Sequence, residues 1–360
     1  MAVMKVCVLF GGRSGEHEVS LRSAASVVKN LDRDRYEIIA IGIDRNGRWH
    51  LQKRIDTQQV PGQGDVLALT PSKHPISVVP GDGVYHQGKK IAIDCVFPVL
   101  HGTFGEDGTV QGLLEMAGLP YVGAGVIGSS VSMDKETAKR LWRDVGIPIV
   151  EFVSVNRGSP ESVRRQAAEK LGWPMFVKPC SAGSSLGASR VDREERLGPA
   201  LADALRYDTR ALLEKNVDAR EIECAVIGNG EPRAFLPGEI VPTGGHSFYD
   251  YDAKYMDPDG AALEAPARLE ATTQTRVMRM AEAAYAAVRC EGMARVDFFL
   301  ERGTGALFVN EINTIPGFTS ISMFPRMCAA SGLAYRALLD ELIRLATERE
   351  TVRRSVRYEK

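Results

Sequence analysis

Two apolar runs near the end of the chain, ARVDFFL (294–300) and LFVNEINTIPG (307–317), carry polar groups at regular positions. Arg302, Gly303, Thr304 and Gly305 form a turn between them. Side chains alternate along a strand, so Arg295 and Asp297 share one face, as do Glu311 and Asn313. A hairpin that pairs 297 with 311 also pairs 295 with 313, and needs a loop with an odd number of residues. Asp297 and Glu311 would then stand within about 5 Å at Cβ. Two carboxylates and an amide oxygen that close suit a hard cation, and the set resembles a two-metal clamp for phosphate. The competing explanation is an edge hairpin with a solvated acidic face. Four polar groups in an otherwise apolar hairpin that runs into Pro316-Gly317 favour the site.

A second candidate, Lys178-Pro179-Cys180-Ser181-Ala182-Gly183-Ser184-Ser185-Leu186-Gly187, follows the apolar strand PMFVKP. Small residues let backbone N–H groups close over phosphates, and a lysine at the strand end supplies a point charge. No Gly-Lys-Ser/Thr ends the loop, so it is not a Walker loop, and an ordinary flexible turn explains it equally well. The third, Gly11-Gly12-Arg13-Ser14-Gly15-Glu16-His17-Glu18, follows the first strand without the GxGxxG spacing. Glu16 and Glu18 would repel a pyrophosphate, and a carboxylate there suits an ammonium group better. Acids complementing a helix dipole explain Glu18 well. His101, in LHGTFGEDG, could meet a ligand carboxylate or hydrogen-bond within its own loop.

The elements that must position these groups are legible too. KVCVLF, a helical pattern through Val19, Ser23, Ala24, Val27 and Val28, YEIIAIGID and IDCVFPVL spell βαβ units on a parallel sheet. Residues 45–90, rich in Gly, Pro, Gln and Asp, read as a surface insertion dispensable for chemistry. Ser132 is the expected cap of a helix from about Met133 to Val145, stopped by Gly146 and Pro148. EIECAVIG, AFLPGEIV, ARVDFFL and ALFVNEI read as an antiparallel sheet interrupted by a helix near 270–289, and LAYRALLDELIRLATE as a final amphipathic helix.

With 360 residues, 44% apolar and 25% charged, and a net charge of −1, the chain is long enough for two or three domains. Nothing in that balance points to a nucleic acid or an anionic membrane as partner. Six scattered cysteines form no CxxC pair, which argues against zinc and disulfides and for a reducing cytoplasm. No stretch approaches the ~20 apolar residues of a membrane span, and MAVMKVCVLF reads as a buried strand, not a signal peptide.

The motifs GGRSGEHEVSL, LHGTFGEDGTVQG, SMDK, VKPCSAGSSLG, EKNVDAREIE, FYDYDAKY, ARVDFF and NEINTIPGFTSISMFP occur in this order. Together they resemble the D-alanine–D-alanine ligases of the ATP-grasp class, from residue 5 to about 330. The resemblance implies a three-domain α/β and α+β fold: a Rossmann-like parallel-sheet domain (1–125), a central ATP-grasp subdomain (126–214) and a C-terminal one (215–360). It implies that ATP drives formation of an acyl phosphate from one D-alanine, which the amine of a second then attacks, making a peptidoglycan precursor. Lys135 and Lys178 would hold ATP phosphates, the Glu214–Val217 segment, with Lys215, would border adenine, and Glu221 would bind ribose. Asp297, Glu311 and Asn313 would carry two Mg²⁺ ions, with Mn²⁺ as a substitute. Arg295 and the Gly317 N–H would stabilise the oxyanion. Glu16 would take the first ammonium, with Ser184 and Tyr255 in its network and His101 nearby. Lys254, Ser322 and Met323 would surround the second substrate. A homodimer is the expected assembly.

Alternatives from other classes are a D-alanine–D-lactate (depsipeptide) ligase, another ATP-grasp carboxylate–amine ligase, and a nucleotide-binding regulator without turnover. Residues 242–261, about twenty residues without helical or strand period, read as a lid over the site.

Overall fold

Met4–Gly11 (β1) is apolar almost throughout because it lies inside the first sheet with both faces covered; Val6, Val8, Leu9 and Phe10 are inaccessible to solvent. The computed structural model describes residues 3–60, 64–243, 261–319 and 321–357. Helix α1 (His17–Asn30) buries Leu21, Ala24, Val27 and Val28 and leads to Tyr36–Ile43 (β2), which pairs in parallel with β1. Trp49–Leu51 (β3) adds antiparallel to β2. Next come a hairpin of Thr57–Val60 (β4) and Gly64–Leu67 (β5), and a small sheet of Ser77–Val79 (β6), Gly83–His86 (β7) and Lys89–Ile91 (β8). Cys95–Leu100 (β9) then pairs in parallel with the other side of β1.

The 45–90 segment is therefore not merely a surface insertion. Leu67 and Val84 are buried, and Leu69 lies so close over Gly42 that a Cβ there would meet its Cγ at 2.7 Å. Gln52 accepts from the Thr70 N–H at 2.8 Å and donates to the Thr70 carbonyl at 3.3 Å, tying the segment back to the sheet edge. Strands of three or four residues with at most one buried side chain each leave no period to read, which is why composition alone misleads here.

After helices α2 (Thr109–Met116) and α3 (Val126–Met133), the helix expected from about Met133 to Val145 forms as α4 (Lys135–Asp144). The cap of α4 is Asp134, not Ser132: its Oδ1 accepts from the Thr137 N–H at 2.8 Å, while Ser132 is buried within α3. The second sheet is antiparallel. Phe152–Asn156 (β10), helix α5 (Glu161–Leu171), Met175–Pro179 (β11), Ser189–Val191 (β12), helix α6 (Leu197–Tyr207) and Arg210–Lys215 (β13) build it, in the spatial order β10-β13-β11-β12.

Ala219–Gly228 (β14), Arg233–Ala234 (β15), Gly238–Pro242 (β16), Ala261–Glu264 (β17), Gly292–Glu301 (β18) and Leu307–Asn313 (β19) form the third sheet, ordered β17-β16-β14-β18-β19 with β15 on β14. The expected strand AFLPGEIV is thus two strands parted around Pro237. Helix α7 (Ala271–Ala287) packs on this sheet, and so does α4: Trp142 is wholly buried among its residues and donates to the Ala284 carbonyl at 3.0 Å. Helix α8 (Met323–Ala330) and helix α9 (Tyr335–Arg354) join the third sheet to the first through Leu338, Leu342 and Phe318. No helix among the described residues is long and apolar enough to cross a membrane.

Candidate active site

The polar hairpin forms in the expected register at its polar end. Arg295 pairs with Asn313 and Asp297 with Glu311 across β18 and β19. One residue further the ladder shifts, so that Phe298 pairs with Val309. Asn310 is the extra residue of a β-bulge, which reconciles this register with the turn that follows. The shift turns Asn310 to the same side as Glu311. There its Oδ1 accepts from Lys178 Nζ at 3.2 Å. Arg295 holds Asp297 bidentately through Nε and Nη2, each at 2.7 Å, and its Nε is 3.1 Å from Glu223. Burial disfavours the guanidinium charge, but Asp297 and Glu223 override it and hold its pKa well above the ordinary range.

Lys178 and Glu214 sit on adjacent antiparallel strands. Glu214 is opposite Phe176, so Lys178, two residues on, is its diagonal neighbour on the same face. Lys178 Nζ donates to Glu214 Oε2 at 2.6 Å. Lys135, the first residue of α4, donates to the Ala182 carbonyl at 2.7 Å and stands 3.5 Å from Glu311. One helix carries it from the glycine-rich loop to the acidic hairpin.

At the opposite wall, Glu16 stands between two loops. A Cβ on Gly102 would come 2.9 Å from its Oε2, and one on Gly183 would come 3.1 Å from it. Ser184, at φ 51°, donates to Glu16 Oε1. Ser14 Oγ donates to the His101 carbonyl at 2.7 Å and accepts from the Glu16 N–H at 3.2 Å. Glu18 forms an exposed pair with Arg45 at 2.6 Å.

Both ring nitrogens of His101 are taken by scaffold partners. Nδ1 faces the Ile315 carbonyl at 3.0 Å and must carry the proton, which leaves Nε2 to accept from Ser23 Oγ at 3.2 Å. Ser23 in turn accepts from the Phe318 N–H at 3.3 Å. Burial lowers the His101 pKa and keeps the ring neutral. Beside it, Glu106 is 7% exposed and accepts from the Gly102 N–H at 2.6 Å. Burial, then the Glu16 charge, pushes its carboxyl well above the usual range.

Gly317 abuts Ser322, whose Oγ would lie 2.7 Å from a Cβ there. That hydroxyl also accepts from the Thr319 N–H at 3.0 Å, just before α8. Met323 is seated over Gly238, where any Cβ would collide with its Cε at 2.1 Å. The acidic hairpin, Lys135, Lys178, Glu214, Glu16, His101, Glu106, Ser322 and Met323, with Lys215, Val217 and Glu221 on β13, β14 and the turn between them, line one cleft of about 720 Å³ where the three sheets converge.

Two family profiles match the chain, the D-ala D-ala ligase N-terminus over residues 5–124 and the D-ala D-ala ligase C-terminus over residues 141–344. The chain belongs to the D-alanine–D-alanine ligase family. Among its relatives, the D-alanine–D-alanine ligase A of Bradyrhizobium diazoefficiens is 48% identical, covering 98% of this chain and 97% of the relative. The D-alanine–D-alanine ligase of Solibacter usitatus is 47% identical over 99% of both. The D-alanine–D-alanine ligase of Coxiella burnetii, a solved structure, superposes with a TM-score of 0.84 at 39% identity, covering 98% of this chain and 96% of that one. A D-Ala:D-Ser ligase from Enterococcus faecalis superposes with the same TM-score at 35% identity, covering 96% of this chain and 100% of that one. The fold is therefore the ATP-grasp fold of this family, with the parallel-containing first sheet expected from the βαβ pattern.

Of the residues singled out in the sequence, the cleft gathers Glu16, His101, Lys135, Lys178, Ser184, Glu214, Lys215, Val217, Glu221, Arg295, Asp297, Glu311, Asn313, Gly317, Ser322 and Met323. Lys254, Tyr255 and nearly all of the 242–261 segment expected as a lid lie outside the described residues; β16 and β17 flank that segment and pair Pro242 with Ala261. Sequence reasoning misses Glu106, Asn310 and Glu223, and also Lys139, which is wholly buried 2.6 Å from Glu214. A signal existed only for Lys139, which follows Lys135 by four residues and so shares its helix face.

Proposed function

We propose that the chain ligates two D-alanines to D-alanyl-D-alanine, coupled to cleavage of ATP to ADP and phosphate through an acyl phosphate. The observation that carries this reading is the convergence in one cleft of an anionic hairpin, two lysines and Glu16, one from each sheet region. ATP lies with its adenine along Glu214–Val217 beside Lys215, its ribose at Glu221 and its phosphates under the 181–187 loop, met by Lys135 and Lys178. The first D-alanine places its ammonium on Glu16, which Ser184 and Tyr255 orient. Its carboxylate attacks the γ-phosphorus, the bond to the β-phosphate oxygen breaks, and ADP leaves. Arg295 and the Gly317 N–H stabilise the oxyanion formed when the second amine attacks the acyl carbon, and phosphate departs with the C–O bonding pair. Lys254 and Ser322 take the second carboxylate, Met323 fills the space beside it, and His101 holds the first-substrate wall.

Asp297, Glu311 and Asn313 offer only oxygen donors, which fit Mg²⁺ or Mn²⁺ better than zinc. Among the described residues no three His, Cys, Asp or Glu form a metal cluster, so the amide is needed to complete the set. Two Mg²⁺ ions held there would neutralise phosphate oxygens during transfer. The domain division at about 125 and 214, a cytoplasmic location and a homodimer, checked by light scattering, complete the proposal.

The test is ADP release across D- and L-alanine, D-serine and D-lactate, with wild type and Glu311→Gln. D-alanine should be the preferred substrate and amine acceptor, and the variant should lose turnover while it keeps its fold, because Glu311 is part-exposed and the change is isosteric. Near-normal turnover of folded Glu311→Gln at millimolar Mg²⁺ would falsify the metal assignment. Faster turnover on D-lactate or D-serine would redirect the substrate assignment.

A further inference from the structure

Glu214, the last residue but one of β13, an inner strand of the second sheet, is 3% exposed and faces two ammonium groups. Lys178 Nζ lies 2.6 Å from Oε2 on one side, and Lys139 Nζ lies 2.6 Å from Oε1 on the other. Lys139 is wholly buried on the α4 face that also carries Trp142. Burial lowers its pKa, opposed by Glu214; burial also works against the Glu214 carboxylate, yet the two lysines hold that carboxyl below its usual range. A lysine with no solvent contact is costly unless it has a task.

We propose that Lys139 is a positioning residue that neutralises Glu214 from below, so that the charge of Lys178 remains available to a nucleotide phosphate. The argument is one of charge count. Glu214 with Lys178 alone is a neutral pair, and a phosphate would compete with a buried carboxylate for the only cation. With Lys139 present the triad carries one net positive charge, and the only member that lines the cleft with an ammonium is Lys178, 13% exposed. Asn310, re-aimed by the bulge, gives that ammonium a second, neutral anchor that does not consume its charge. Lys139 itself is not among the residues lining the cleft, so it acts through Glu214.

The inference rests on the proposed nucleotide site, and the experiment separates the two. Calorimetry measures adenosine and ADP binding to the full chain, wild type and variants, with Mg²⁺ held constant. The ratio of adenosine to ADP dissociation constants reports the phosphate contribution and cancels the adenine contacts. In Lys139→Met that ratio should fall by roughly tenfold or more, the scale of one charge-assisted contact. Glu214→Gln should raise it, and Lys139→Met/Glu214→Gln should restore it towards wild type, which a purely structural role for Lys139 would not do. An unchanged ratio in both Lys139→Met and Glu214→Gln overturns the inference. If Lys139→Met does not fold, Glu214→Gln and the double variant, which leave no buried carboxylate short of a partner, decide the matter by the same ratio. A wild-type protein that binds ADP no better than adenosine overturns the nucleotide-site reading instead.

Discussion

Changing Gly183 to alanine isolates the seat proposed for the first substrate's ammonium. A Cβ at 183 would stand 3.1 Å from Glu16 Oε2, whereas an ordinary contact begins near 3.4 Å, so the carboxylate must yield by about 0.3 Å. It has little room to do so. On its other side the Gly102 backbone is close enough that a Cβ there would come within 2.9 Å, and Ser184 ties the second oxygen. Misplacement by about 1 Å commonly costs 10²-fold in an active site, so about a third of that distance should cost roughly fivefold. The assay is ADP release as a function of D-alanine at saturating ATP. The D-alanine concentration for half-maximal rate should rise by that factor, more than ADP affinity falls, although Gly183 also belongs to the 181–187 loop over the phosphates. Gly112→Ala is the control: in α2 nothing lies within 4 Å of a Cβ at 112, so kinetics should be unchanged and stability should rise by about 0.5–1 kcal/mol. A Gly183→Ala enzyme with wild-type D-alanine dependence, or one whose loss lies wholly in nucleotide binding, would refute the placement of Glu16.

Two further outcomes follow from burial. All six cysteines are buried, and burial pushes Cys180, in the glycine-rich loop, up to about 12; native protein at pH 8 should therefore resist a thiol reagent that titrates six groups in denaturant, and fast labelling of Cys180 would contradict the packing of that loop. His101 is kept neutral by burial, so its folded pKa lies below the unfolded one, the unfolded chain binds the proton first, and its stability contribution is lost as pH falls below about 6.5. Glu106 has the opposite sign, since its raised folded pKa favours the native state as pH falls. The comparison that isolates His101 is therefore wild type against His101→Gln in urea at pH 7, 6 and 5, where the wild-type margin should shrink by up to about 1.4 kcal/mol per unit; a constant margin would mean the ring is not held neutral.

The parts of the site that the sequence makes legible are those with a strong local period. Arg295, Asp297, Glu311 and Asn313 break a two-residue apolar alternation on one face, and the register that alternation demands forms from 295 to 297, up to the bulge at Asn310. The βαβ pattern of the first hundred residues likewise has one parallel solution. What fails is local competition between neighbours of similar fitness. Ser132 and Asp134 are both good caps, and the chain uses the one that lets Val126–Met133 form its own helix. Nothing in GEDG singles out Glu106, because its burial depends on His101, Gly102 and Glu16 folding around it. Lys139 shares a helix face with Lys135, but nothing near it in sequence announces that β13 will bring Glu214 beside it.

The bulge at Asn310 shows why such a site cannot be read from alternation alone. A regular ladder through 298 would place Asn310 on the face opposite Glu311, among the apolar side chains that α7 covers, where its amide would lack partners at a cost of about 1–3 kcal/mol. Skipping one residue removes that cost and leaves Val309 and Leu307 to fill the apolar side, where both are buried. It also delivers two consecutive polar side chains to the cleft, Asn310 to Lys178 and Glu311 to Lys135. The two lysines come from different elements, β11 and the start of α4, and are thereby held by adjacent positions of one strand. An unbroken strand could present only one of those two positions to the cleft, since consecutive side chains alternate. The irregularity is therefore what lets a single edge strand organise both cations of the proposed phosphate site.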